Sequence, residues 1–183
     1  MERVLVLYAN PADTDRIRLD KEHRAIDQAL LTSCLPTDIV IRRHATTFND
    51  LVTALADTEF SIFHFSGHGS SNGIYLEGES DDEGELITAK RIASLLSKTK
   101  PDLKAAIFMC CFSADAIPDL IVTAPYLMTV FGSTDDEAAI EFVHQFYEQY
   151  FKHQSVTKAC FFAEELTRGT TSCPFQTSGT FGR

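Results

Sequence analysis

The chain has 183 residues, of which 44% are hydrophobic and 23% are charged, and its formal net charge is −10. This length and composition are typical of one globular domain that buries a sizeable core without disulfides. The negative charge argues against direct binding to nucleic acid or to an anionic membrane, because such binding depends on Lys and Arg. A basic substrate or a basic partner is favoured instead.

Cysteine usage and the lack of long apolar runs narrow the class of protein further. The five cysteines are an odd number without a CxxC pair, so the sequence predicts neither a disulfide framework nor a structural metal, and we expect no cofactor. No apolar run approaches the about 20 residues that span a bilayer, and the first residues lack the long apolar region of a signal peptide. We therefore expect a cytoplasmic protein.

Strand and helix patterns alternate along the first half of the chain. They predict a strand over residues 4–8, a helix over 19–31, a strand over 38–44, a short helix capped by Asn49 and a strand over 61–65. The apolar faces of the two helices are Leu19, Ile26, Ala29 and Leu30 in the first and Val52, Leu55 and Ala56 in the second. We expect the continuous apolar run at 4–8 to be the central strand.

The alternation continues in the second half. A hairpin or flap over 74–76 and 86–87 precedes a helix capped by Thr88 and stopped by Pro101, and strands follow over 105–109 and 126–131. The last predicted elements are a helix that starts between Gly132 and Asp136, a helix over 157–167 with Cys160, Ala163 and Leu166 on one face, and a short strand around Phe175. This order predicts one α/β domain over 1–183, with a mainly parallel sheet covered by helices on both faces.

Two of the predicted strands each run into a reactive residue. The 61–65 strand leads to His68, and the 105–109 strand leads to Cys110 and Cys111. Ligands of an open parallel sheet collect at the carboxyl ends of its strands, so the His and a Cys would meet in one crevice. A Cys beside a His is a nucleophile with its proton-transfer partner, which predicts a cysteine hydrolase, with a peptidase as the favoured class. Successive strand residues face opposite sides, so only one of the two cysteines can meet His68.

Other polar residues have more than one interpretation. His64 lies inside its strand, where a hydrogen-bonded core histidine is the expected role. Asp135 and Asp136 are helix-capping acids or the wall of a pocket for an Arg or Lys side chain, and Tyr75 is a further candidate for substrate contact. The acidic run over 77–85 forms a solvated flap, a Ca²⁺ site without EF-hand spacing, or a surface that attracts basic peptides.

Two motifs resemble those of a known family. Residues 65–69, Phe-Ser-Gly-His-Gly, resemble the His-Gly motif of the CHAT proteases, which are caspase-like cysteine peptidases common in bacteria, and residues 107–114 resemble their strand-plus-Cys motif. The resemblance implies that Cys111 is the nucleophile, that Cys110 takes the place of a small residue and that His68 delivers a proton to the leaving amine. It also implies an oxyanion hole made by the backbone N–H groups of Gly69 and Cys111.

The resemblance covers nearly the whole chain, with a departure at Ser133, where relatives often carry Trp. It implies a caspase-like three-layer sandwich and a cysteine endopeptidase that cleaves a protein substrate through a Cys-His dyad. It further implies a regulatory partner protein or complex, in a bacterial pathway of antiviral defence or cell death. The main alternative is a non-catalytic interaction module that kept the fold. A nucleotide-binding domain is disfavoured, because no GxGxxG or GxxxxGK[ST] follows a strand.

Overall fold

Nine strands and six α-helices lie in the part of the chain that the computed structural model describes, which is residues 2–78, 83–112, 117–131, 136–167 and 175–179. The strands are β1 Val4–Ala9, β2 Val40–Arg43, β3 Ile62–Gly67, β4 Gly69–Ser70, β5 Gly73–Glu77, β6 Gly84–Thr88, β7 Ala105–Phe112, β8 Tyr126–Phe131 and β9 Phe175–Gly179. The helices are α1 Leu19–Thr32, α2 Phe48–Asp57, α3 Ala89–Thr99, α4 Ile117–Leu120, α5 Asp136–His153 and α6 Val156–Thr167.

Six of the strands form the main sheet, in the order β2-β1-β3-β7-β8-β9. The first five are parallel to one another, and β9 pairs antiparallel with β8 at the edge. The predicted mainly parallel sheet and the short strand around Phe175 are therefore confirmed. The predicted hairpin is confirmed as well, since β5 and β6 pair antiparallel beside the two-residue strand β4.

The position of β1 differs from the prediction. All six of its residues are buried and it pairs on both sides, but the two middle strands of the sheet are β3 and β7. A continuous apolar run indicates burial on both faces and does not fix the order of the strands. The crossovers of the chain thus place the His-bearing strand and the Cys-bearing strand side by side.

Helices cover both faces of the sheet and form a three-layer sandwich of the caspase-like kind. One apolar cluster joins one face of the sheet to α2, α3 and the β5–β6 hairpin, and a second joins the other face to α1, α5 and α6. Alternate strand residues enter opposite clusters, as Leu5 and Leu7 do on one side and Val4 and Val6 on the other. Within the described residues, no helix is both long enough and apolar enough to cross a membrane.

Several predicted boundaries and faces were wrong in detail. The N-cap of α2 is Thr47 and not Asn49, because Thr47 and Asp50 form a reciprocal capping box. The predicted strand over 38–44 starts later, after a 3₁₀ turn at Thr37–Ile39. Three side chains expected to be buried are exposed instead: Val52, Ala56 and Leu166. The predicted cap at Thr88 is confirmed, since its hydroxyl accepts a hydrogen bond from the backbone N–H of Arg91.

Candidate active site

A cavity of about 260 Å³ lies at the carboxyl edge of the two middle strands. β3 and β7 pair in parallel with Ser66 opposite Met109, so His68 after β3 and Cys111 near the end of β7 are at the same edge. Both residues line the cavity, together with the chain before α1, the first turn of α1 and the second turn of α5. The predicted crevice is therefore present, and it contains the predicted pair.

The two neighbouring cysteines have different environments. Cys110 is 6% exposed and belongs to the apolar cluster beneath the hairpin, whereas Cys111 is exposed. Burial, with smaller effects from Cys111 and Glu22, raises the pKa of the Cys110 thiol well above its usual range. Nucleophilic attack requires the thiolate, so Cys110 is a poor nucleophile at neutral pH. The pairing register between β7 and β8 shifts between Phe108 and Cys111, and such irregularities re-aim side chains at strand ends.

The ring of His68 is fixed by a backbone group. Its Nε2 lies 2.6 Å from the carbonyl oxygen of Asp15. A carbonyl only accepts hydrogen bonds, so we assign the proton of the neutral ring to Nε2 and leave Nδ1 as the acceptor. This partner of His68 was not predicted. No signal could have revealed this one, because every residue carries a backbone carbonyl.

Glycines allow the end of β3 to lie close to β1 and the segment after β3 to lie close to β7. A Cβ atom at Gly69 would lie 2.7 Å from the carbonyl oxygen of Cys111 and 2.9 Å from the Cys110 Sγ. A Cβ atom at Gly67 would lie 2.5 Å from the carbonyl oxygen of Ala9. Side chains therefore cannot be accommodated at these two positions without movement of the backbone. The oxyanion role expected for the N–H groups of Gly69 and Cys111 remains a prediction.

A network of buried polar side chains starts at the cavity. Glu22, in the first turn of α1, lines the cavity although it is only 4% exposed. Its Oε2 accepts a 2.6 Å hydrogen bond from the Ser66 hydroxyl, and its Oε1 lies 3.3 Å from the His64 Nε2. The other ring nitrogen of His64 is 2.8 Å from the Tyr147 hydroxyl, so the predicted core role of His64 is confirmed.

Glu22 was missed by sequence analysis, although a signal was present. It occupies the apolar face of α1, three residues after Leu19 and four before Ile26, where helical spacing predicts a core residue. A lone carboxylate at such a position indicates either a buried polar contact or a functional site.

The other predicted contact residues are placed as follows. Asp135 lies outside the described residues, and Asp136 is the first residue of α5, of which Ala139 and Ile140 line the cavity. Tyr75 is half-buried in β5 and is not among the lining residues, but its backbone N–H donates a 3.0 Å hydrogen bond to the carbonyl of His68. Tyr75 therefore supports the His68 loop through its backbone.

Within the described residues, neither a cluster of metal ligands nor a further thiol is a candidate for the functional site. No group of three or more His, Cys, Asp or Glu side chains that could hold a metal ion occurs within the described residues. Part of the acidic run, 79–82, lies outside them, as does Cys173. Cys160 is buried, as predicted for a core residue, and burial raises its pKa to about 12.

The sequence that folds into this caspase-like sandwich matches a model of a protein family. The CHAT domain model matches residues 7–163, and the chain belongs to this family. The family is related to the caspase-like cysteine peptidases. A comparison with curated proteins finds no match to the chain.

Proposed function

We propose that this protein is a cysteine endopeptidase that cleaves a protein substrate with Cys111 as nucleophile and His68 as proton-transfer residue. The observation that carries the proposal is that an exposed Cys111 and a ring-oriented His68 line one cavity at adjacent strand ends. Membership of a family related to cysteine peptidases supports it. The buried, protonated Cys110 leaves Cys111 as the reactive thiol of the pair.

The proposed reaction has two stages. His68 Nδ1 first takes the proton of the Cys111 thiol. The resulting thiolate attacks the scissile carbonyl carbon, and the backbone N–H groups of Gly69 and Cys111 stabilise the oxyanion. The C–N bond then breaks as His68 gives a proton to the leaving amine, which leaves a thioester on Cys111.

In the second stage, His68 takes a proton from water and the hydroxide attacks the thioester carbon. The C–S bond then breaks as His68 returns this proton to the Cys111 sulfur, which releases the acid product and restores the thiol. The hydrogen bond from Nε2 to the carbonyl oxygen of Asp15 holds the ring so that Nδ1 takes up and releases each proton.

Regulation is part of the proposal. A separate partner protein or complex, oligomerisation or self-cleavage would switch the peptidase on, in a bacterial antiviral defence or cell-death pathway. Negative charge on the protein, −10 overall, favours a basic substrate or partner and disfavours nucleic acid.

The test is cleavage of a positional peptide library by the wild type, Cys111→Ala, His68→Ala and Cys110→Ala, each alone and with proteins encoded beside it. We expect cleavage by the wild type and by the matched control Cys110→Ala, and at least a hundredfold loss in the other two variants. If no condition gives cleavage that depends on Cys111, the peptidase proposal fails and a binding module of the same fold replaces it.

A further inference from the structure

The connecting segment, residues 10–18, orients the ring of His68. It links β1 to α1, contains no helix or strand, and places the carbonyl oxygen of Asp15 2.6 Å from His68 Nε2. Asp15 itself is exposed, so burial of its side chain does not hold this carbonyl in place. Ordering such a segment costs backbone entropy, so its position depends on contacts with the rest of the fold.

A turn lies directly before Asp15 in the connecting segment. The carbonyl oxygen of Pro11 accepts hydrogen bonds from the backbone N–H of Thr14 at 3.0 Å and from its hydroxyl at 2.6 Å. These bonds fix the shape of the turn, but they do not fix where the turn lies relative to β3 and β7. A movement of the turn would move the Asp15 carbonyl with it.

Two hydrogen bonds with carboxylate acceptors join the connecting segment to the β5–β6 hairpin. Glu77 Oε1 accepts from the backbone N–H of Asn10 at 2.8 Å, and Asp13 Oδ1 accepts from the backbone N–H of Gly84 at 3.0 Å. Glu77 and Gly84 pair across the hairpin, so both bonds are made at the same position along it. Hydrogen bonds to a charged acceptor are stronger than those between neutral groups.

The hairpin is itself fixed to the core. Three of its side chains are fully buried in the apolar cluster that includes α2 and α3: Ile74, Leu76 and Ile87. The backbone N–H of Glu77 donates a 2.9 Å hydrogen bond to the carbonyl of Thr46. The hairpin also holds the backbone of His68, through the hydrogen bond from the Tyr75 N–H. It is therefore a firm support for both the backbone and the ring of His68.

We propose that Glu77 and Asp13 are positioning residues for His68, an inference that rests on the proposed peptidase function. Their hydrogen bonds keep the connecting segment against the hairpin and the Asp15 carbonyl at His68 Nε2, which leaves Nδ1 available for proton transfer. Neither carboxylate lines the cavity, so both act through Asp15 and not on the substrate. Misplacement of a catalytic group by about 1 Å can lower a rate about a hundredfold.

The test measures kcat and KM with the peptide that the wild type cleaves fastest in the positional library. We expect kcat to fall about tenfold in Glu77→Ala and about fivefold in Asp13→Ala, whose carboxylate is exposed, while KM stays within about twofold. Glu77→Gln keeps a side-chain oxygen that accepts from the Asn10 N–H, and it should retain kcat within about twofold. Thr88→Ala is the matched control, because it removes a hydrogen bond at the opposite end of β6, and it should also retain kcat.

The kinetic outcomes separate this inference from the peptidase proposal. Unchanged kcat in both alanine variants overturns the role of Glu77 and Asp13 and keeps the peptidase. An equal loss in Glu77→Ala and Glu77→Gln overturns it as well, because it would show that the charge of Glu77 is required and not its hydrogen bond.

A spectroscopic measurement tests the inference without turnover. A hydrogen bond slows the exchange of a ring proton with water, so we expect a proton NMR signal from His68 Nε2–H in the wild type, assigned by its loss in His68→Ala. The signal should weaken in Glu77→Ala and Asp13→Ala and persist in Glu77→Gln. A signal that is absent from the wild type, or that is unchanged in both alanine variants, contradicts the inference whether or not any peptide is cleaved.

Discussion

The two faces of β3 differ in the polarity of their side chains and of the side chains that surround them. Phe63 and Phe65 point into the cluster under α2 and α3, where apolar side chains surround them. His64 and Ser66 point to the opposite face, where they meet Glu22 and the Tyr147 hydroxyl. Buried polar side chains of β3 therefore lie on the face that it shares with Glu22, a residue of the cavity lining, and polar groups in a core reduce stability where function requires them.

The largest expected effect on stability is on the apolar face. Phe63 is fully buried, with its ring packed against Phe60 and Phe108. Phe63→Ala should lower the free energy of unfolding by about 3–5 kcal/mol, because it removes buried surface and leaves a cavity. Urea denaturation followed by circular dichroism measures the change. A loss below about 1 kcal/mol would show that this face is loosely packed and would contradict the difference between the two faces of β3.

A smaller effect is expected on the polar face of the same strand. Ser66→Ala removes the donor to Glu22 Oε2 and leaves this buried oxygen without its hydrogen bond, which should cost about 1–3 kcal/mol. The matched control is Ser97→Ala, since the exposed Ser97 hydroxyl donates to backbone carbonyls of its own helix. We expect the control to change the free energy of unfolding by less than about 0.5 kcal/mol in the same denaturation experiment. Equal effects of the two variants would contradict a structural role for the buried network.

The smallest effect is expected at the start of α2, outside both faces. Thr47→Ala removes the capping hydroxyl and should cost about 1 kcal/mol at neutral pH. Hydrogen bonds from the backbone N–H and hydroxyl of Thr47 lower the pKa of Asp50. Since the folded-state pKa is the lower one, this stabilisation is present above the unfolded pKa of Asp50 and disappears as pH falls through the folded one. Denaturation at several pH values should therefore show a smaller cost in acid, and a cost that rises in acid would contradict this role.

Local patterns in the sequence predicted much of the fold. The strand at Tyr126–Phe131 and the helix capped by Thr88 were predicted closely, because an apolar run or a cap residue marks each end. The start of α2 was missed because Thr47 and Asn49 are both good caps, and only the Asp three residues after Thr47 decides between them. Strand order was missed for β1, because it depends on crossovers and not on the hydrophobicity of a segment.

The site was predictable to the extent that it depends on strand ends. His68 and Cys111 come together because parallel pairing aligns the ends of β3 and β7. Glu22 was not predicted as a site residue because charged residues usually lie in solvent, and its buried partner Ser66 is 44 positions further along the chain. The contact of His68 with Asp15 is through the backbone carbonyl, so the identity of residue 15 does not predict it. Contacts of this kind require the three-dimensional fold.

The most direct test of the central claim is the alkylation rate of each cysteine by iodoacetamide, measured by mass spectrometry in the wild type and in His68→Ala. Cys34 is the exposed internal control, and Cys110 is the buried control whose raised pKa keeps it protonated at neutral pH. The account predicts that Cys111 reacts faster than Cys34 and that His68→Ala removes the difference, while Cys110 stays unmodified. Equal rates for Cys111 and Cys34 in the wild type would contradict an activated Cys-His pair.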